Sequence, residues 1–271
     1  MSRSAGRSIV AAAAYRSGTR LLEERTGQTH DYTRKRVEHS EIMAPARAPA
    51  WVFDRQALWN AVDAAEKRKD AQLAREIEVA LPRELSPEAR LALVREFTRR
   101  EFVGQGMVAD LAVHNPKARD GGQQPHAHIL LTMRPLEGGH FGKKQRAWND
   151  VGQLEAWRLK WAEAANQALE RTASPERIDH RTLAAQGIDR EPEPKLGITH
   201  RLARRAGETL DRLNQWIAVR HRNRVRDHLA AMQAIDPIEF AEMIGAQIGR
   251  QADRARQLAR MPSPRGPELD R

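Results

Sequence analysis

An apolar run with alternating histidines, Gln124-Pro125-His126-Ala127-His128-Ile129-Leu130-Leu131-Thr132, constrains this chain more than any other segment. Side chains along a strand point alternately to its two faces, so His126 and His128 leave the same side of any sheet that contains them. A second apolar segment, Met107-Val108-Ala109-Asp110-Leu111-Ala112-Val113, ends in His114, and the stretch between the two contains Asn-Pro, Gly-Gly and Gln-Pro. Those dipeptides mark a connecting loop. The pattern predicts a β-hairpin with His114, His126 and His128 near one end. Three neutral imidazoles can hold a divalent cation and leave coordination positions open for a substrate oxygen, as a catalytic site requires. Strand histidines each satisfied by a neighbour fit the same residues.

The chain contains no cysteine. That excludes a disulfide framework, thiolate ligation and a cysteine nucleophile, so any metal must rest on histidine and carboxylate. A length of 271 residues accommodates one large domain, or one domain with an extension. Lys and Arg number 46 against 36 Asp and Glu, a formal charge of +10. With no lipid-binding signature, that charge favours nucleic acid over a membrane surface as partner. The longest apolar run near the start, Ile9 to Ala14, is far shorter than a membrane span and short for a signal sequence, so a cytoplasmic location is expected. The acid-free, Arg-, Ser- and Ala-rich opening imitates an organelle transit segment, although its alanines serve a helix equally well.

Along the chain, residues 8 to 17 read as a helix capped by Ser8, stopped near Gly18 and carrying Tyr15. Thr29 to Glu41 reads as extended, and Asp54 through Arg75 shows helical spacing. Glu76-Ile77-Glu78-Val79-Ala80-Leu81-Pro82 then switches to strict alternation, which makes a strand with Glu76 and Glu78 on one face. Ser86-Pro87-Glu88 opens another helix, and Asn149 to Thr172 a long one presenting Trp157 and Trp161. This order predicts an α+β fold in which an antiparallel sheet carries helices. After Glu191-Pro192-Glu193-Pro194 the composition becomes Arg-rich and helical. The expected organisation is a domain over 1–195, a basic helical extension over 196–260 interrupted near Asp236-Pro237, and a disordered proline-rich tail over 261–271. Arg220, Arg222, Arg224 and Arg226 form two i,i+4 pairs, which present either a solvated basic face or a phosphate-contacting one. Auxiliary DNA binding is the expectation for this region.

The sequence has two tyrosines, Tyr15 and Tyr32, both upstream of the histidines. Tyr15 lies among small residues that allow close approach of other backbone, and its flanking arginines favour a phosphate. A helical tyrosine taken alone is usually a packing residue. Tyr32, in His30-Asp31-Tyr32-Thr33-Arg34-Lys35, reads as strand surface.

Taken together, Ser2-Arg3-Ser4-Ala5-Gly6-Arg7-Ser8 leading into Tyr15-Arg16-Ser17-Gly18, then His30-Asp31-Tyr32-Thr33, Glu76 to Pro82, Pro125-His126-Ala127-His128, Trp148-Asn149 and Arg177-Ile178-Asp179-His180-Arg181, resemble the MobA/MobL family of plasmid mobilisation relaxases over roughly residues 2 to 195. The resemblance implies an HUH endonuclease fold, an antiparallel HUH-type sheet of five strands flanked by helices and followed here by the Arg-rich extension. It implies Tyr15 as nucleophile and His114, His126 and His128 as ligands of one divalent metal ion, Mn²⁺ or Mg²⁺. It also implies single-stranded DNA at a transfer origin as substrate, a 5′-phosphotyrosyl intermediate, and accessory relaxosome proteins and a coupling protein as partners, with no membrane. Glu76 and Glu78 fall near the active site by the same resemblance, to orient a histidine or take the tyrosine proton; a solvent-facing strand surface is the alternative. Arg7, Arg16, Arg34 and Lys35, clustered around Tyr15, are the expected DNA contacts.

One departure stands out. Family members usually begin with a β-strand ahead of the Ser-Arg-Ser-Ala-Gly motif, whereas Met1 here stands almost on it. The expectation is either an upstream start or a decayed copy whose sheet exposes backbone groups and apolar faces. Three rival readings remain: a rolling-circle replication initiator, although no tyrosine follows His128; a DNA-binding protein without catalysis; and a metal hydrolase that activates water.

Overall fold

Local signals in the first residues set the first helix. In this computed structural model, which describes residues 1–271 apart from 4, 5, 7, 119, 120, 195, 197–210, 234–236 and 261–271, α1 spans Ile9–Ser17. The Ser8 hydroxyl accepts from the Ala11 N–H at its start, and Gly18 ends it at φ 67°, ψ 35°. A side chain at Gly18 would be strained in that left-handed region and would also collide, because its Cβ would lie 2.8 Å from Val37 Cγ2 and 3.0 Å from the Lys35 carbonyl oxygen. Residues 35 to 37 thus pass directly over the end of α1.

The extended stretch that follows divides into a ribbon of β1 (Arg20–Glu23) and β2 (Gln28–Asp31), then β3 (His39–Met43). Helix α2 (Arg55–Ala65) is capped by Asp54 and ends ten residues before Arg75, where the periodicity places its end. Tertiary contacts end it. Glu66 turns extended and meets Arg134 at 2.9 Å and Lys144 at 3.2 Å, while Ala71 and Leu73 are buried in the core rather than turned around a helix. Then come β4 (Ala74–Ala80), α3 (Pro87–Glu101) with Ser86 as N-cap, the hairpin β5 (Ala109–His114) and β6 (His126–Thr132), a short hairpin β7 (Leu136–Glu137) and β8 (His140–Phe141), and α4 (Val151–Arg171).

The main sheet is antiparallel and ordered β3-β5-β6-β4. Among the described residues it has four strands, where the resemblance implies five, and β4 forms one edge. Met1 to Arg3 lie beside the start of that edge: Ser2 bridges Gln72 antiparallel, the Leu73 N–H donates to the Met1 carbonyl at 2.9 Å, and the Arg3 N–H donates to the Ala71 carbonyl at 3.0 Å. Farther along, β4 borders a groove walled by Phe97, Leu154, Trp157 and Trp161.

Alternation gives the sheet two buried faces. Leu111, Val113, Ala127, Ile129, Leu131 and Val79 pack with Phe97 of α3 and Trp157 and Trp161 of α4. Phe97, Phe102, Trp157 and Trp161 meet edge to face at centroid distances of 5.0 to 5.5 Å, and each such pair adds about 0.5–1.5 kcal/mol beyond burial. Leu130, Ala74 and Val108 pack on the other side against Ile9, Val10 and Ala13 of α1 and Leu58, Trp59 and Val62 of α2. The fold is therefore α+β, with α1 and α2 over the face that carries the histidines.

The chain divides into two compact units, Met1–His180 and Arg181–Arg271; composition places the boundary near residue 195. The second unit contains α5 (Asp211–Gln233) and α6 (Pro237–Arg260). Several of its arginines already have partners: Glu191 takes Arg222 at 2.7 Å and Arg226 at 2.8 Å, and Arg220 lies over the Trp216 ring at 4.7 Å. Arg224 is exposed. The expected tail over 261–271 lies outside the described residues.

Candidate active site

Hairpin register brings the histidines together. His114 stands directly opposite His126, and Ala112 opposite His128, so alternation points all three imidazoles from one end of one face. Their ring centroids are 4.9 to 5.4 Å apart, and one ligand atom from each lies within 4.8 Å of the others.

Each ring has one nitrogen engaged by the protein. His114 Nε2 is 2.7 Å from the Arg16 carbonyl oxygen, His126 Nδ1 is 2.9 Å from the Gln124 carbonyl, and His128 Nδ1 is 2.8 Å from Glu76 Oε1. These acceptors have no proton to give, so each contacted nitrogen donates and the other keeps a lone pair. Three lone pairs with fixed tautomers suit a divalent cation, and imidazoles add no charge to cancel its own. Burial, joined by the nearby charges of Lys35, His128 and His126 and opposed by the bond to the Arg16 carbonyl, brings His114 down to about 4. It is neutral at physiological pH, as a ligand must be.

Glu76 ties this cluster to α1. It lies opposite Leu130 on β6 and therefore diagonal to His128, within reach of a long side chain. The same carboxylate receives Arg16 Nε and Nη2 at 2.5 Å each. Burial pushes the Glu76 carboxyl up, but the hydrogen bonds from His128 and Arg16 and their charges prevail and hold it at about 2. A group so acidic is a weak proton acceptor and a good orienting anion. Glu78, alike by alternation, is exposed and has no described polar partner.

Tyr15 occupies the last turn of α1, beside Arg16, and is 48% exposed. Its ring meets Tyr32 edge-on at 5.2 Å, and Lys35 Nζ lies 3.5 Å from its centroid. Of the four expected DNA contacts, Arg34 is exposed and Lys35 half-buried beside Tyr15. The Arg16 guanidinium, partly buried, is paired with Glu76 and donates to the Ala12 carbonyl. Arg7 lies outside the described residues. The alternating pattern could not reveal the Arg16–Glu76–His128 chain, because its members are distant in sequence and meet only through the β4–β6 register and the packing of α1 on the sheet.

No helix among the described residues is long and apolar enough to cross a membrane. The sequence matches the model of the MobA/MobL family over residues 7–205. It is 41% identical over 241 residues to mobilization protein MobL of Acidithiobacillus ferridurans, covering 77% of this chain and 63% of that one. It is 39% identical over 240 residues to conjugal transfer protein TraA of Agrobacterium fabrum, covering 77% and 21%. The chain thus spans between about a fifth and three-fifths of the length of these relatives. Among solved structures, one described as the molecular basis of vancomycin resistance transfer in Staphylococcus aureus aligns with a TM-score of 0.62 at 32% identity, covering 67% of this chain and 95% of that one. The paired histidine strands, the tyrosine helix anchored to them and the family match over most of its length agree: this chain belongs to the MobA/MobL family.

Proposed function

We propose that the chain is a DNA relaxase that nicks one strand at a plasmid or integrative-element transfer origin and holds the cut end covalently for conjugative mobilisation. In this reading the Tyr15 phenol oxygen attacks the scissile phosphorus and the bond to the 3′ oxygen breaks. Tyr15 is left esterified to the 5′ phosphate, and the phenol proton is balanced by one taken up on the 3′ hydroxyl. The reverse step rejoins the strand. His114, His126 and His128 are the residues that would hold a divalent ion, Mn²⁺ or Mg²⁺. When bound, such an ion polarises the non-bridging phosphate oxygens and offsets the negative charge of the transition state. Glu76 keeps His128 in the tautomer that leaves its lone pair free, and Arg16 keeps the tyrosine-bearing turn beside the cluster. Names of relatives that refer to mobilisation and conjugal transfer support the same reading, and a relaxosome and a coupling protein are the partners it implies.

The observation that carries the proposal is the physical link between nucleophile and metal residues. The residue next to Tyr15 accepts from His114 through its carbonyl and donates its guanidinium to Glu76, which in turn holds His128. The test is a denaturing gel for protein bound covalently to labelled single-stranded DNA from the element's own origin region, with Mn²⁺. We expect an adduct that Tyr15→Phe abolishes. An adduct that survives moves the nucleophile to Tyr32, whose ring touches that of Tyr15. Complete absence of adduct from folded wild-type protein refutes the reading in favour of DNA binding without catalysis.

A further inference from the structure

Tyr15 is half exposed at the end of a helix, a setting in which a free ring would sample several rotamers. Two neighbours restrict it here. The Lys35 ammonium lies 3.5 Å above the ring centroid, and Tyr32 closes on it at an interplanar angle of 89°. Lys35 Nζ also donates to the Tyr15 carbonyl at 2.9 Å, one of the last-turn carbonyls that an α-helix leaves without an internal donor. One side chain therefore caps the helix and covers the ring of the same residue.

The loop that carries Lys35 is itself fixed. The Lys35 N–H donates to the Tyr32 carbonyl at 2.9 Å, and the Tyr32 N–H donates to the Thr19 carbonyl at 3.1 Å. Its backbone crosses Gly18 so closely that a methyl group there would not fit. A small cavity beside the ring is lined by Tyr15, Asp31, Tyr32, Thr33, Arg34 and Lys35.

We infer that Lys35 is a positioning residue for the nucleophile: its ammonium holds the Tyr15 ring in one orientation and stabilises the negative charge that gathers on the phenol oxygen and the phosphate during attack. The inference rests on Tyr15 being the nucleophile. It goes beyond a phosphate contact, because Lys35 then acts on the rate of the bound complex and not only on DNA affinity. Other charged or titratable groups around it are Arg16 on α1, Asp31 at the end of β2, Tyr32 and Arg34 on the same loop, and His114 on β5. Burial, reinforced by the charge of Arg16, lowers Lys35 to about 8, so its contribution fades as pH rises through that value.

The test compares wild type, Lys35→Met and Lys35→Arg in single-turnover adduct formation with Mn²⁺ and saturating labelled single-stranded origin DNA, alongside DNA affinity and thermal melting. Lys35→Met should be about tenfold slower at saturation, the size of a partly desolvated cation–π contact. Lys35→Arg should recover most of the rate and lose the decline expected of wild type above about pH 8. A Lys35→Met protein that reacts at the wild-type rate once DNA is saturating overturns the inference, as does an equal loss in both variants with melting unchanged. Tyr15→Phe run in parallel separates the two layers: an adduct that survives it defeats the nucleophile assignment, whereas an adduct lost in Tyr15→Phe but unaffected by Lys35→Met defeats only the role of Lys35.

Discussion

Glu76→Gln is the most informative single change, because it removes a charge while keeping a side chain of nearly the same size. The carboxyl is held at about 2 against an ordinary 4.5, and a gap of about 2.5 units corresponds to an upper figure of about 3 kcal/mol. About a quarter of the side chain is exposed, and solvent screening reduces the expected contribution to about 2 kcal/mol. Since the folded-state value lies below the unfolded one, this stabilisation is complete above about pH 4.5 and is lost as pH falls toward 2. Urea unfolding followed by tryptophan fluorescence should show Glu76→Gln less stable than wild type by about 2 kcal/mol at pH 7. The difference should shrink steadily between pH 5 and pH 2.5. The variant should also bind Mn²⁺ some 10- to 100-fold more weakly by calorimetry, since His128 loses a charged acceptor and Arg16 its anchor. Equal stability at pH 7, or a deficit that does not change with pH, would refute the argument that Glu76 acts as an ionised strut.

Treatment with EDTA should abolish adduct formation and added Mn²⁺ restore it; His126→Ala should resist rescue at the Mn²⁺ level that restores wild type, and metal-independent adduct formation would contradict the triad's role. Asp110→Ala strands the partly buried Arg55, paired with it at 2.9 Å, and the buried Trp59 indole N–H, bonded at 2.8 Å; a loss of about 3 kcal/mol in denaturant unfolding is expected. Trp157→Ala, at a site 2% exposed against Phe102, should cost about 3–5 kcal/mol by the same assay. Deleting residues 200–271 should weaken DNA binding and flatten its salt dependence while sparing cleavage of a short oligonucleotide, measured by fluorescence anisotropy from low to moderate salt.

Much of this site is legible in the chain because its signals are local. Ser8 and Gly18 bound α1 through contacts within a few residues, since a hydroxyl cap and a left-handed stop act on the adjacent turn. Alternation over β6 suffices to point His126 and His128 to one face, and the hairpin that the Pro- and Gly-rich loop predicts adds His114 once its register is set. Helix α2 shows where local reading fails: the spacing of Leu58, Val62, Ala65 and Leu73 continues a helical period, yet the chain leaves the helix at Glu66 because Arg134 and Lys144, far away in sequence, hold that carboxylate. Periodicity records which residues are apolar, not which distant group claims a charge.

The sequence alone determined the hairpin, the histidine cluster and the helix that bears Tyr15, because each depends on the geometry of consecutive residues. Only the tertiary structure brought Glu76 rather than Glu78, which alternation leaves equivalent, to His128, and paired it with Arg16. It also set Lys35 over the Tyr15 ring. These outcomes depend on strand register and on a loop crossing Gly18, where groups up to 98 residues apart come within hydrogen-bond distance. At that range, the direction of a charged side chain is fixed by the nearest partner that can replace its water.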